Sequence, residues 1–278
     1  MTTISRRQTV NEGQLDRELR RRNLSGVHVA ALTALINDIG EPVWVSECTA
    51  AALHGLNGFA LRPPFHVVVP RGRDLRRIGH VIHTSTDLPS LDRVHIAGLP
   101  VTGPARTLID LAREHTNNQL ARALESAFDA RLVTDDLMHR RIGALRTSGR
   151  YGVPRLLAVL EEYELGRGTE SWLERQFLLL INRAGLPRPT PQQVLGRRGD
   201  RIIRVDFRFA GTPVVVETLG YRWHRTGAQM QIDAERMNQL LLDGFVPLQF
   251  TYPQVVNEPQ HVVSVVAAAL RPFLDRAA

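Results

Sequence analysis

Asp206 and Glu217 are the residues whose type and spacing point most directly to chemistry. They lie in the stretch 201–224, RIIRVDFRFAGTPVVVETLGYRWH. IIRVDFRF alternates apolar and polar residues at period two, VVVE is β-branched and closes on a carboxylate, and AGTP supplies the Gly and Pro of a turn. The pattern predicts two adjoining strands, the first carrying Asp206 and the second ending on Glu217. Neighbouring strands lie about 4.8 Å apart, so acids on one face converge. Two carboxylates held that close repel unless a cation lies between them, and a hard divalent ion with oxygen ligands meets that need.

Other residues are placed to join such a site. Ser171 and Glu174 have the S-x-x-E spacing of a capping box, which accounts for Glu174 without catalysis; a third carboxylate role is the alternative. His224 lies beside Tyr221 and Trp223, where it either packs on the aromatics or moves a proton. Gln192, Arg204, Arg222 and Arg225 are candidate contacts to a base or phosphate. Asp233 and Arg236, three apart on one helix, read as an intrahelical ion pair. His54, His66, His80, His83 and His95 lack metal-ligand spacing and have no cysteine cluster beside them, so they read as strand-face or partly buried side chains and not as a zinc site.

The elements that must position these residues follow from periodicity. Residues 27–39 recur at helical spacing up to Gly40, 42–45 suit a short strand, and Ser46 is a candidate N-cap for ECTAAALHGL. FHVVVPRGR, HVIHTS and DRVHIAGLPVT read as strands, with PRGRDLRR a basic turn fit to rest on phosphate. ARTLIDLAREH, NQLARALESAFDARL, TDDLMHRRIGALRT and VPRLLAVLEEYEL read as helices, with Thr134 capping the third. The flexible GRG at 166–168 predicts a domain boundary, dividing an α+β region at 1–165 from a second domain at 166–278. The second domain reads as helix, three strands, amphipathic helix at 229–244, the strand FVPLQFTY and a closing helix. The fold class expected is α/β.

Composition narrows the partners. Apolar residues make up 43% of the 278 and charged residues 23%, the balance of a folded globular chain. All 35 basic residues are arginine, and the formal charge is +7. The excess lies mainly in residues 1–160, with 21 Arg against 15 acids. Such an excess favours a polyanionic partner over a neutral one; a solvated basic face without a ligand is the alternative. No apolar run approaches membrane-spanning length, and a single cysteine, Cys48, suits a reducing cytoplasm.

A helix with Glu174, then VDF, then VVVE-x-x-G-x-x-x-H, then a helix with D-x-x-R and a strand resembles the PD-(D/E)XK nuclease superfamily. More narrowly, it resembles an actinobacterial branch related to very-short-patch repair endonucleases. The resemblance covers residues 166–270 and implies a restriction-endonuclease-like α-β-β-β-α-β domain. It further implies Mg²⁺ (or Mn²⁺) held by Asp206, Glu217 and the carbonyl of Thr218, with Glu174 holding a ligand water or second ion and His224 moving a proton. Metal-polarised phosphoryl oxygen and activated water are the chemistry such a set supplies. The position two after the second acid is Leu219, where the superfamily usually has Lys and this branch Asp. No lysine exists elsewhere to replace it, and arginine is no base near neutral pH.

The first half is similar to the AbiEi-type antitoxin region, on SECTAAALHGL, HVVVPRGR and GLPVTGPARTLIDLA. That resemblance implies a nucleic-acid or toxin partner. It also implies an N-terminal winged helix, which the short stretch ahead of residue 25 leaves truncated or absent. Three functions are therefore in play: a Mg²⁺-dependent DNA endonuclease, a non-enzymatic nucleic-acid-binding or antitoxin-type regulator on a degenerate nuclease fold, and a protein whose basic half engages an acidic partner.

Overall fold

A computed structural model describes residues 24–145, 152–166, 171–198, 201–220 and 227–274. The expected winged-helix remnant at 1–23 lies outside these residues. The chain divides into two compact units, with the boundary between Val159 and Leu160.

In the first unit, α1 (Gly26–Ile39) ends where Gly40 adopts φ +73°, a conformation that costs glycine little. β1 (Trp44–Val45), β2 (His66–Pro70), β3 (Val81–Ser85), β4 (Arg93–Ile96) and β5 (Leu99–Thr102) form one sheet in the order β3-β2-β1-β5-β4. The pairs β2–β3 and β1–β5 are parallel; β1–β2 and β4–β5 are antiparallel. β2 reads HVVVP because it is covered on both faces, and Val67, Val68 and Val69 are all buried. α2 (Glu47–His54) joins β1 to the rest of the core, where Leu32, Leu53, Phe65 and Val101 have no exposed surface. α3 (Pro104–Leu111), α4 (Asn117–Asp129) and α5 (Asp135–Leu145) follow. Thr116 opens α4 with a capping box to Gln119, and Thr134 accepts from the Leu137 N–H at 3.2 Å.

One expected cap is not made. Ser46 stands at the N-cap position of α2, but its buried hydroxyl makes no cap bond. The neighbouring Glu47 takes φ +50°, which turns the chain sharply from strand into helix and leaves Ser46 Oγ out of line with the helix N–H groups. Thr49, which could have satisfied its own helix, instead accepts from the His66 N–H at 2.8 Å.

α6 (Val153–Gly166) spans the boundary between the units. In the second unit, α7 (Trp172–Arg183) is followed by β6 (Thr190–Arg198), β7 (Arg201–Arg208), β8 (Val214–Leu219), α8 (Gly227–Leu242), β9 (Val246–Thr251), α9 (Tyr252–Asn257) and α10 (Pro259–Leu274). The sheet runs β6-β7-β8-β9, antiparallel except for the parallel pair β8–β9. The class is α/β, and the elements occur in the expected order with one addition. Tyr252, read as the end of a strand, opens α9, where the Gln254 side chain reaches back to the Thr251 N–H at 2.9 Å.

Phe177 of α7 packs on Phe207 and Phe250 of the sheet, while Val205 and Val215 pack with Leu240 of α8. Regular alternation would send Val205 and Phe207 to one side; they join different clusters, and the residue between them is Asp206. α8 is covered less than its pattern promised. Among its described side chains only Leu240 is buried, and Ile232, Leu241 and Leu242 are more than half exposed.

Candidate functional site

Asp206 and Glu217 do occupy adjoining strands, β7 and β8. The β7–β8 ladder pairs Arg208 with Val215 and Phe207 with Val216. Just beyond it, the Asp206 carboxylate takes over the work of the ladder. Its Oδ2 accepts from the Thr218 N–H at 2.8 Å and from the Thr218 hydroxyl at 3.1 Å. Thr218 was expected to offer its carbonyl to a metal; here its N–H and hydroxyl serve Asp206. On the other side, the β6–β7 ladder passes from Pro191↔Phe207 to Gln193↔Val205. The residue passed over, Gln192, has φ +53°, a conformation that costs a non-glycine residue about 1 kcal/mol or more.

Glu217 lies two residues before the end of β8 and is 7% exposed. A carboxylate so buried needs partners, and two of them stand among the described residues. Its Oε1 is 2.6 Å from Arg236 Nη2, close but off the hydrogen-bond axis, and its Oε2 accepts from the Gln249 amide at 3.1 Å. Arg236, expected to pair within its own helix, reaches across to the sheet and also donates to the Arg204 carbonyl.

A second chain of contacts adjoins the first. Ser171 Oγ accepts from the Glu174 N–H at 3.2 Å, so half of the expected capping box is present. The Glu174 side chain reaches Gln192, whose Nε2 donates to Oε2 at 2.8 Å. The Gln192 carbonyl oxygen in turn accepts from Arg204 Nε at 2.6 Å and from its Nη2. Glu174, Gln192, Arg204, Arg236, Glu217 and Gln249 thus form one polar network, with the Asp206–Thr218 pair on the same strands. Gln192, expected as a contact to a base or phosphate, is an integral member of this network. His224, Arg222 and Arg225 lie outside the described residues.

The donor set decides what the network can hold as it stands. The cation beside Glu217 is a guanidinium, and Asp206 Oδ2 is committed to Thr218. Among the described residues, no three His, Cys, Asp or Glu side chains stand together as a metal cluster. The arrangement does not fit a divalent ion without displacing Arg236 from Glu217, and no hydrolytic step is derived from it.

The first unit carries its own buried charges. Asp92 Oδ2 accepts from Arg141 Nη2 at 2.7 Å and from Arg106 Nη1 at 3.2 Å; Arg106 Nε also donates to Asp110 at 2.8 Å. Of the basic turn after β2, Arg73 donates to the carbonyls of Ile39, Gly40 and Pro42 at the end of α1 and Arg77 pairs with Asp38, while Arg71 and Arg76 are exposed. Glu47, 8% exposed, is pushed up to about 7, first by burial and then by the nearby Asp110. Sequence reasoning passed over one pair here: His66 Nδ1 and His83 Nε2 stand 3.1 Å apart. The signal lay in the spacing of two parallel strands, which the sequence alone does not put in register.

Residues 45–161 match the family model of the AbiEi antitoxin C-terminal domain. That stretch contains the five-stranded sheet except for Trp44 of β1, and the match does not extend to the strands bearing Asp206 and Glu217. Two uncharacterized proteins of Mycobacterium tuberculosis, from strains CDC 1551 / Oshkosh and ATCC 25618 / H37Rv, are similar over 232 residues. Each is 28% identical, across 82% of this chain and 80% of its own length. No solved structure matches. No helix among the described residues is long and apolar enough to cross a membrane.

Proposed function

We propose that the protein is a non-enzymatic regulator of the antitoxin type, which binds nucleic acid through arginines of its first unit. The AbiEi antitoxin match over residues 45–161 carries this reading. Charge supports it: Arg62, Arg71, Arg76, Arg122 and Arg131 are exposed on that unit, and a polyanion gains most of its affinity by meeting such side chains. The second unit supports it by what its acids are doing. Asp206 and Glu217 are held by Thr218, Arg236 and Gln249, and Leu219 offers no base. A cognate toxin is the partner that the same match suggests besides nucleic acid.

One observation favours a second reading. The order α7-β6-β7-β8-α8-β9, with Asp206 and Glu217 on neighbouring strands, is the order that a PD-(D/E)XK nuclease requires. That reading needs Mg²⁺ or Mn²⁺ to displace Arg236 from Glu217.

A single labelled duplex tests both. Fluorescence anisotropy of the full chain across a NaCl series should give binding that weakens steeply with salt. Arg71→Glu with Arg76→Glu should flatten the log–log slope by roughly 1 for each phosphate that is no longer neutralised. Salt-independent binding, or none, removes the nucleic-acid reading and leaves a toxin as partner. In the same samples with Mg²⁺ or Mn²⁺, the duplex should stay intact. Nicking that disappears in Asp206→Ala would instead establish the nuclease.

A further inference from the structure

We propose, building on the nucleic-acid reading of the first unit, that a cleft beside Trp44 receives one unpaired nucleobase, guanine in preference to the others. The base belongs to a single strand whose phosphate lies on Arg71. The cleft holds about 230 Å³ and is lined by Trp44, Val68, Leu88 and Arg93, with the exposed Thr86 and Asp87 at its rim. Whole small-molecule ligands fill roughly 300–1,000 Å³, so a space of this size suits one ring system and leaves the rest of its carrier outside. Val68 is the register partner of Trp44 in the antiparallel pair β1–β2, which puts both side chains on one face of the sheet.

One wall is a stacking platform. Arg93 lies over the Trp44 ring with Cζ 4.6 Å from its centroid, and its Nε donates to the Leu88 carbonyl. The guanidinium is thereby held in place, while its two Nη groups and the indole N–H have no hydrogen-bond partner among the described residues. Nucleobases stack on indole rings and on guanidinium planes alike. The loop after β3 is fixed as well. The Ser85 hydroxyl donates to the Asp87 carbonyl at 2.7 Å, which also accepts from Arg106 Nη1 at 3.1 Å. Arg106 is one of the arginines that grip Asp92, so the loop is tied to the buried charges of the unit. These bonds engage the backbone of Asp87 and leave its carboxylate without a hydrogen bond among the described residues.

Two features make the occupant a nucleotide and not another flat molecule. Arg71 is exposed and directly follows Pro70, and its N–H donates to the Ser85 carbonyl at 2.9 Å; Pro70 and Ser85 both line the cleft. A cation for phosphate thus stands at the lip of a base-sized space. Asp87, when ionised, is an acceptor only. Guanine alone among the common bases offers two N–H donors side by side on its Watson–Crick edge, and these match the two oxygens of a carboxylate. In a duplex that edge is already paired, and drawing the base out of the stack is unfavourable. An unpaired base is the form that fits.

The test is fluorescence anisotropy of the full chain with a labelled strand of thymidines carrying one central guanine, beside the duplex form of the same strand. The single strand should bind roughly tenfold tighter than the duplex, within the range that stacking of one base confers. Trp44→Leu should remove that advantage and Trp44→Phe should retain most of it, with far-UV circular dichroism confirming the fold of both variants. In N–H correlation spectra, the indole resonance that Trp44→Leu deletes should shift on titration with the single strand. Replacing the central guanine by adenine should weaken binding severalfold, and Asp87→Asn should abolish that difference. A difference that persists would overturn the placing of the base edge on Asp87. If single strand and duplex bind alike, and Arg71→Glu with Arg76→Glu weakens both while Trp44→Leu weakens neither, the nucleic-acid reading stands and the cleft proposal falls. If neither is bound, both fall, and an aromatic side chain of a protein partner becomes the candidate occupant.

Discussion

Asp92 in the first unit and Glu217 in the second are both carboxylates with less than a tenth of their surface exposed, and both face guanidinium groups. The likeness ends there. Asp92 is gripped by two arginines whose side chains are 4% and 10% exposed, on α3 and α5. Glu217 meets Arg236, whose side chain is 42% exposed, and the neutral Gln249. Glu47 stands at the far end of the series: it is buried, with no hydrogen bond or ion pair to its carboxyl among the described residues, and raised to about 7. The cost of burying a charge is met by closed pairing at Asp92, by open pairing at Glu217, and by partial neutralisation at Glu47. Closed pairing holds a fold together. Open pairing leaves a cation that another anion can reach.

The largest effect should come from breaking the closed pair. Asp92→Ala takes the shared carboxylate from two buried guanidinium groups, leaving Arg106 its bond to Asp110, and urea denaturation should show a loss of about 3–5 kcal/mol. A loss below about 1 kcal/mol would mean that Arg106 and Arg141 find other acceptors and that the grip is not closed.

Glu47 and His83 should come next, and in opposite directions with pH. Glu47 rises from 4.5 to about 7 on folding, so the folded state holds the proton more tightly. Its contribution is most favourable below pH 4.5 and is lost as pH rises to 7, on the order of 3 kcal/mol. His83 falls from 6.5 to about 4, so its contribution is present above pH 6.5 and is lost as pH falls toward 4, by a smaller amount because solvent screens its half-exposed ring. In the unaltered chain the two slopes oppose each other between pH 4.5 and 6.5. Thermal melts of Glu47→Gln should lose stability more steeply on acidification, and those of His83→Gln should lose it more steeply on raising the pH. Parallel pH profiles in all three proteins would refute the assignment.

The smallest effect belongs to the open pair. Arg236→Gln should cost about 1 kcal/mol or less, because a half-exposed guanidinium is screened by solvent. A cost near that of Asp92→Ala would erase the contrast between the two sites.

Much of this architecture could be read from the residues. IIRVDFRF and VVVE gave their strands through period and β-branching, and Ser171 and Thr134 marked helix starts. Chemical contacts across elements were less legible. Arg236 is 19 positions from Glu217, and nothing local distinguishes that partner from Asp233 on its own helix. His66 and His83 meet only because β2 and β3 are parallel in one particular register. Ser46 shows the converse, a good local signal overridden when Glu47 takes a left-handed turn. At α9 the signal was present: T-x-x-Q with a proline in the first turn follows the β-rich run directly, and the run masked it.

Arg73 has a consequence for how the first unit meets its surroundings. By clasping three carbonyls at the end of α1, it anchors the turn that carries Arg71 and Arg76. The freedom that a loose loop would surrender on docking has already been given up in folding, so these two arginines would meet any polyanion as a rigid prong.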